Sequence, residues 1–230
     1  MKICVFSDIH GNLPAFEAAY PLILKELADV NLFLGDLCGY YFDEAAVWHR
    51  LLKIPRLMAL RGNHDEMFLQ AADGNSDALE ESSKKHGPAV KLFLSKDHAD
   101  MVSWIRQLPI SWEGQGRICA AYHGSPWDAL NEYVYPDAPL RRFENLLYPF
   151  IFLGHTHYPM DKNEGVIRII NPGSLGQPRD GSWPRFAVVD INKQEIDFRE
   201  VRYDKEMFAR EVRRKAPESN YLYDVIERIR

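Results

Sequence analysis

Lys2-Ile3-Cys4-Val5-Phe6-Ser7-Asp8-Ile9-His10-Gly11-Asn12 opens on an apolar run of strand formers and breaks at once into polar residues and a glycine. Ile3 to Phe6 reads as a strand and Asp8 to Asn12 as the loop that ends it. From Leu13, apolar residues at Phe16, Tyr20, Ile23, Leu24 and Leu27 mark a helical stripe, with Asn12 placed to cap it. Pro14 is acceptable in the first turn, whereas Pro21 predicts a kink or an early end. A second strand, Asn31 to Leu34, ends at Gly35-Asp36, and Glu44 to Leu52 reads as a helix. A third strand, Leu57 to Leu60, ends at Arg61-Gly62-Asn63-His64-Asp65. Strand, polar loop and helix in alternation predict an α/β fold with its chemistry on the loops at strand ends.

Residues 66 to 108 interrupt the alternation. Helical spacing in Ala78 to Ser95, broken at Gly87-Pro88, and in His98 to Leu108 predicts a mostly helical insertion beside the loops. Arg117 to Tyr122 is the next strand, ending at His123-Gly124, and Phe150 to Leu153 another, ending at Gly154-His155-Thr156-His157. The short strands Ile167 to Ile170, Phe186 to Asp190 and Glu195 to Val201 predict a more antiparallel second sheet. A charged helix near 204 to 215 and a tail, 216 to 230, close the chain. With 230 residues, 46% of them apolar, one core is the expectation, so residues 1–230 read as a single domain carrying the insertion.

A formal net charge of -5 gives no general attraction to a polyanion. Arg210, Arg213, Arg214 and Lys215 are interspersed with Glu206, Glu211 and Glu218, a solvated helix face rather than a strong nucleic-acid patch. Cys4, Cys38 and Cys119 are odd in number and lack Cys-x-x-Cys spacing, which predicts buried thiols in a reducing compartment, the cytoplasm. The apolar start is too short for a signal-peptide core, and no run approaches the ~18 apolar residues of a spanning helix, so no membrane partner is expected.

Five of the eight histidines, His10, His64, His123, His155 and His157, lie in glycine-containing motifs directly after an apolar strand. Asp8 and Asn63 share two of these four motifs, and Gly35-Asp36 makes a fifth such strand end. Asp, Asn and His after a strand commonly serve only turns and caps, and for one motif that reading would win. Five such strand ends in order point to a metal centre instead. Imidazole, carboxylate and amide oxygen together suit first-row divalent ions, and no cysteine joins them, which argues against a structural zinc knot. The seven candidate ligands Asp8, His10, Asp36, Asn63, His123, His155 and His157 exceed one tetrahedral ion and fit two with open positions. His49, His86 and His98 have no companion ligands and read as solvated surface.

These blocks, Asp8-Ile9-His10, Gly35-Asp36, Gly62-Asn63-His64-Asp65, His123 and Gly154-His155-Thr156-His157, resemble the calcineurin-like metallophosphoesterase superfamily in content and order. Asn171-Pro172-Gly173-Ser174-Leu175-Gly176-Gln177-Pro178-Arg179-Asp180-Gly181 is similar to its small bacterial and archaeal phosphodiesterase branch. The resemblance implies a two-sheet αββα sandwich with metal-binding loops at the strand C-terminal ends. It implies two divalent ions, Asp8, His10 and His157 on one, Asn63, His123 and His155 on the other, Asp36 bridging. It further implies in-line attack on phosphorus by a metal-bridging hydroxide, with His64 as the acid for the departing group. Manganese is the first ion expected, with iron, nickel, zinc or cobalt able to serve.

One departure stands out. Protein phosphatases of the superfamily follow the Gly-Asp block with an Asp that orients the catalytic histidine and an Arg that grips phosphate, whereas Leu37-Cys38-Gly39-Tyr40-Tyr41 follows here. Asp65 or a backbone carbonyl is then the expected partner of His64; Arg179 is either the substitute grip or a loop arginine in a surface ion pair, and Tyr40 and Tyr41 are either an aromatic shelf for substrate or packing residues. The expected activity is hydrolysis of a small phosphate ester, a phosphodiester before a monoester. A nucleotide or dinucleoside-polyphosphate hydrolase is the alternative enzyme, and a non-catalytic metal-binding scaffold the alternative of another class. The apolar stripe along 90 to 108 leaves a homo-oligomer open.

Overall fold

The computed structural model describes residues 1–95 and 98–230; Lys96 and Asp97, within the predicted insertion, lie outside the described residues. The first half alternates β1 (Lys2–Phe6), α1 (Leu13–Lys25), β2 (Val30–Phe33), α2 (Glu44–Leu51) and β3 (Leu57–Ala59). Four helices follow: α3 (Asn63–Ala72), α4 (Ser76–His86), α5 (Ala89–Leu94) and α6 (Ala99–Gln107), with the break at Gly87-Pro88 as the sequence predicts. The second half adds β4 (Ser111–Glu113), β5 (Cys119–Tyr122), β6 (Phe150–Phe152), β7 (Pro159–Glu164), β8 (Ile167–Pro172), β9 (Arg185–Asp190), β10 (Glu195–Glu200), α7 (Lys205–Lys215) and α8 (Asn220–Arg228).

Two five-stranded sheets result, in the orders β10-β9-β1-β2-β3 and β4-β5-β6-β8-β7. Successive strand residues point to opposite faces, which explains the unbroken apolar runs. Ile3, Val5, Leu32 and Leu34 of the first sheet meet Cys119, Ala121, Phe150, Phe152 and Ile170 of the second in the core between the sheets. Cys4, Phe6 and Phe33 face the other way, into a second core with Phe16, Val47, Phe68 and Ile105 from the helices. The architecture is the α/β sandwich that the resemblance implies. Among the described residues, no helix is long and apolar enough to cross a membrane.

Three expectations need correction. Pro21 does not end α1, which runs on to Lys25; Pro21 is exposed, so water can reach the carbonyl left unpaired one turn earlier. The late strands do not make a separate antiparallel sheet. β9 and β10 extend the first sheet beyond β1, Ile3 opposite Val189, while β8 pairs in parallel with β6 and antiparallel with β7. The tail is no mere tail: α8 packs Leu222 and Ile226 against Tyr41, Phe208 and Val212. The three cysteines are buried and unpaired, as expected.

Candidate metal centre

β1, β2, β3, β5 and β6 are parallel within their sheets, so their C-terminal ends lie on one edge of the sandwich and carry the five motifs. Backbone bonds tie the loops together: Asp8 N to Gly35 O at 3.0 Å, His10 N to Asp36 O at 3.0 Å and Gly154 N to His123 O at 2.9 Å. The Asn171 to Gln177 segment braces them from below. Asn171 donates to Gly154 O at 2.6 Å, Ser174 Oγ to Asp8 O at 2.7 Å, and Gly176 N to Asp8 O at 2.9 Å. Asp8, His10, Asp36, His155 and His157 all have φ between 50° and 66°. That left-handed conformation costs a non-glycine residue about 1–2 kcal/mol and concentrates at functional sites.

The side chains converge in two clusters. His10 Nδ1 faces Cys38 O at 2.8 Å and His157 Nδ1 faces Gln177 O at 2.6 Å. A carbonyl only accepts, so both Nδ1 atoms carry the proton and both Nε2 atoms present lone pairs, 3.1 Å apart. Asp8 Oδ1 lies 3.4 Å from His157 Nε2 and 3.8 Å from His10 Nε2. In the second cluster His123 donates from Nδ1 to Leu34 O at 2.9 Å and turns Nε2 toward Asn63 Oδ1, 3.0 Å away. His155 pairs Nε2 with Asn131 O at 3.2 Å, leaving Nδ1 for the cluster with Asp36 and His123. Asp36 Oδ2 is common to both, 3.6 Å from His10 Nε2 and 3.3 Å from His123 Nε2.

Asp8 Oδ1 and Asp36 Oδ2 are buried and have no hydrogen-bond partner among the described residues. Buried carboxylate oxygens and imidazole lone pairs aimed at one another are unstable unless a cation sits among them. The donor set therefore fits two divalent ions, and the structure brings together all seven residues that the sequence put forward for them. Burial opposes ionisation of Asp36, yet His123, His64 and His10 hold its carboxyl well below the usual range. Burial disfavours a charged His123, and the Asp36 carboxylate outweighs it, pushing the ring up to about 9. Burial holds His10 down to about 3 and His155 down to about 4.

His64 sits at the start of α3, its backbone N donating to Asp36 Oδ1 at 2.9 Å. Its ring centroid is 4.8 Å from that of His10, and with His10 and Asp36 it forms a third triad of possible ligand atoms. Burial pushes its pKa well down against the pull of Asp36. Among the described residues, neither expected partner is seen to hold the ring. The Asp65 carboxylate is committed to three backbone N–H groups, Asp36 at 2.9 Å, Cys38 at 2.9 Å and Gly62 at 3.0 Å, so it fastens the loops instead. Gly39, at φ +138°, allows the close approach: a Cβ there would stand 2.6 Å from His10 Nδ1 and 2.9 Å from His64 Nδ1.

Tyr40 lies over the site, its ring 4.7 Å from His10 and 4.9 Å from His64, and its hydroxyl accepts from Arg179 at 3.0 Å. Arg179 Nε is buried without a partner, and among the described residues no carboxylate pairs with this guanidinium. Tyr41 turns away into the α7–α8 core and donates to Leu222 O at 3.2 Å, so it forms no shelf. His49 is exposed, as expected, but the other two spare histidines are not free surface. His98 stacks on Phe93 at 3.8 Å. His86, at the end of α4, places its ring 4.4 Å from His64 and 5.1 Å from Tyr40. Sequence reasoning missed it because its neighbours come from the start of α3, 22 positions away, and from a loop 46 positions away; Gly87, directly after it, was the available signal of a special backbone.

The chain belongs to the calcineurin-like phosphoesterase superfamily, whose domain matches residues 1–194. It is therefore a member of a divalent-metal-dependent phosphoesterase family. It is 27% identical to Phosphodiesterase YfcE of Escherichia coli over 206 residues, 83% of this chain and 88% of that one. An uncharacterised protein of Methanocaldococcus jannaschii is 27% identical over 236 residues, 94% of each chain. The crystal structure of a metallophosphoesterase from Sphaerobacter thermophilus superposes with a TM-score of 0.78 at 26% identity, covering 99% of both chains.

Proposed function

We propose that the protein is a binuclear metal-dependent phosphodiesterase. The observation that carries this reading is Asp36 Oδ2, an unpartnered buried oxygen common to two clusters of metal-ligating atoms. Asp8, His10 and His157 would hold one ion, Asn63, His123 and His155 the other, and Asp36 would serve both. Ions held there supply positive charge for the phosphoryl oxygens and acidify water at neutral pH. Manganese is the first ion to test, with iron, nickel, zinc and cobalt compatible with the same donors.

The protein's own groups do the rest. Arg179, half-buried and without an acid partner among the described residues, offers its guanidinium to a non-bridging oxygen and fixes the ester, with Tyr40 steering it through the hydroxyl. His64 stands beside the metal clusters at the departing oxygen and gives it a proton; an arriving phosphate brings the negative charge that favours the protonated ring. Similarity to a phosphodiesterase favours a diester over a monoester. Retention of every expected ligand and of His64 speaks against a non-catalytic scaffold. The three unpaired, buried thiols support a reducing compartment.

The test is hydrolysis of bis(p-nitrophenyl) phosphate and p-nitrophenyl phosphate by metal-stripped protein, with Mn²⁺, Zn²⁺, Ni²⁺ or Mg²⁺ added back. Metal-restored diester cleavage that exceeds monoester cleavage is expected. Cleavage of neither, with two ions bound, would defeat the phosphodiesterase reading and turn attention to nucleotide anhydrides.

A further inference from the structure

The helical segment between β3 and β4 does more than pack. α4 ends at His86, and the residue after it, Gly87, has φ +88° and ψ -177°, a backbone region open essentially to glycine. A Cβ on Gly87 would stand 2.9 Å from Leu222 Cδ1 of α8. The glycine lets the end of α4 lie against Leu222 of α8, while the packing of α4 along α3, the helix that carries His64, sets His86 over the site. Its Nδ1 is buried and has no hydrogen-bond partner among the described residues. His64 has His10 on its metal side, centroids 4.8 Å apart, and His86 at 4.4 Å, with Tyr40 touching all three rings. Arg179 reaches the same Tyr40 through its hydroxyl. Tyr40, His86 and Arg179 are thus gathered beside His64, so they are the groups that a substituent on an oxygen at His64 would meet.

We propose that His86 is a substrate contact on the leaving-group side, where its imidazole N–H donates a hydrogen bond to the departing group while His64 supplies the proton. The assignment rests on the phosphodiesterase reading of the site. It makes the α4–α8 junction the wall that selects the leaving group. No bond to His86 forms or breaks: water adds to phosphorus, the ester P–O bond opens, and His86 holds the developing negative charge by hydrogen bonding alone.

Wild type, His86→Gln and His86→Ala, each checked for melting temperature and bound metal, are compared on bis(p-nitrophenyl) phosphate and diphenyl phosphate. The phenolate leaving group is the poorer one and depends more on a donor. The expected result is a fall in kcat with His86→Ala that is about 10-fold larger for diphenyl phosphate, the worth of one hydrogen bond, with Gln recovering part of it. An equal fall on both esters, no fall, or a gain would overturn the proposal, a gain marking His86 as a plug. A second arm needs no turnover: phenol, the departed group with its oxygen, is titrated together with inorganic phosphate into zinc-loaded, ¹⁵N-histidine-labelled protein. The His86 imidazole resonances should shift with phenol and phosphate and not with phosphate alone, and unmoved resonances would overturn the contact even if the esters are not cleaved. Failure of wild type to cleave either ester counts against the phosphodiesterase reading instead.

Discussion

Asp8, His10, Asp36, His155 and His157 hold left-handed backbone that their side chains disfavour, at about 1–2 kcal/mol each. Hydrogen bonds between the loops and the Asn171 to Gln177 brace impose that backbone, so each ligand is positioned by neighbours far away in sequence. Replacing one side chain should then remove its chemistry and leave the loops in place. His64→Ala is expected to keep both ions while turnover falls at least about 100-fold, read as kcat beside metal content by elemental analysis. Asp36→Asn withdraws the charge that serves both clusters and is expected to lose one ion or both in the same measurement. His64→Ala turning over at the wild-type rate would remove it as the acid. At this scale the side chains of the candidate metal site could be picked out because each follows an apolar strand in a short motif. His86 was illegible for the opposite reason: it meets His64 through the packing of α4 on α3 and Tyr40 across the fold, and Gly87 beside it signals a special backbone without announcing those partners.

Elements were legible where a buried strand or an amphipathic stripe gives a local pattern, as in Ile3 to Phe6 or the Leu13 helix. They were not where tertiary contact decides. The pairing of β9 with β1 depends on the free edge of β1, which no local signal in Phe186 to Asp190 encodes. The α8 stripe of Leu222, Tyr223, Val225 and Ile226 follows Pro217 and reads as a tail until the face it covers is known. That face matters to the site, since Leu222 is 1% exposed and meets both Tyr41 and the Gly87 turn. Leu222→Ala should cost about 2–5 kcal/mol as a core truncation. At about 2–4 °C per kcal/mol for a chain of this length, a fall of roughly 4–20 °C in thermal melting is expected. The same variant should raise KM for a diester more than His49→Ala, an exposed-surface control, because it loosens the helix end that carries His86.

For the whole molecule, the metal centre is also a load on stability, because one edge of the sandwich gathers buried carboxylates and imidazole lone pairs. Without metal, the available cation is a proton on His123, which faces Asp36, Asp8 and His155 and whose pKa is raised to about 9. Such a raised histidine contributes stability that is present in full below its unfolded value of about 6.5 and is lost as pH climbs toward 9. Divalent ions replace that proton and bind the neutral ring, so their grip strengthens over the same range. The metal-free protein should therefore lose melting temperature between pH 6.5 and 9 while the metal-loaded protein holds it. Ions at about 100 times their Kd add about 3 kcal/mol, or roughly 6–12 °C, and the gap should widen with pH. Scanning calorimetry with and without chelator, at pH 6.5 and pH 8.5, reads this directly. A gap that is absent, or that narrows as pH rises, would mean the two clusters are satisfied without cations, and with that the metal reading of Asp36 would fall.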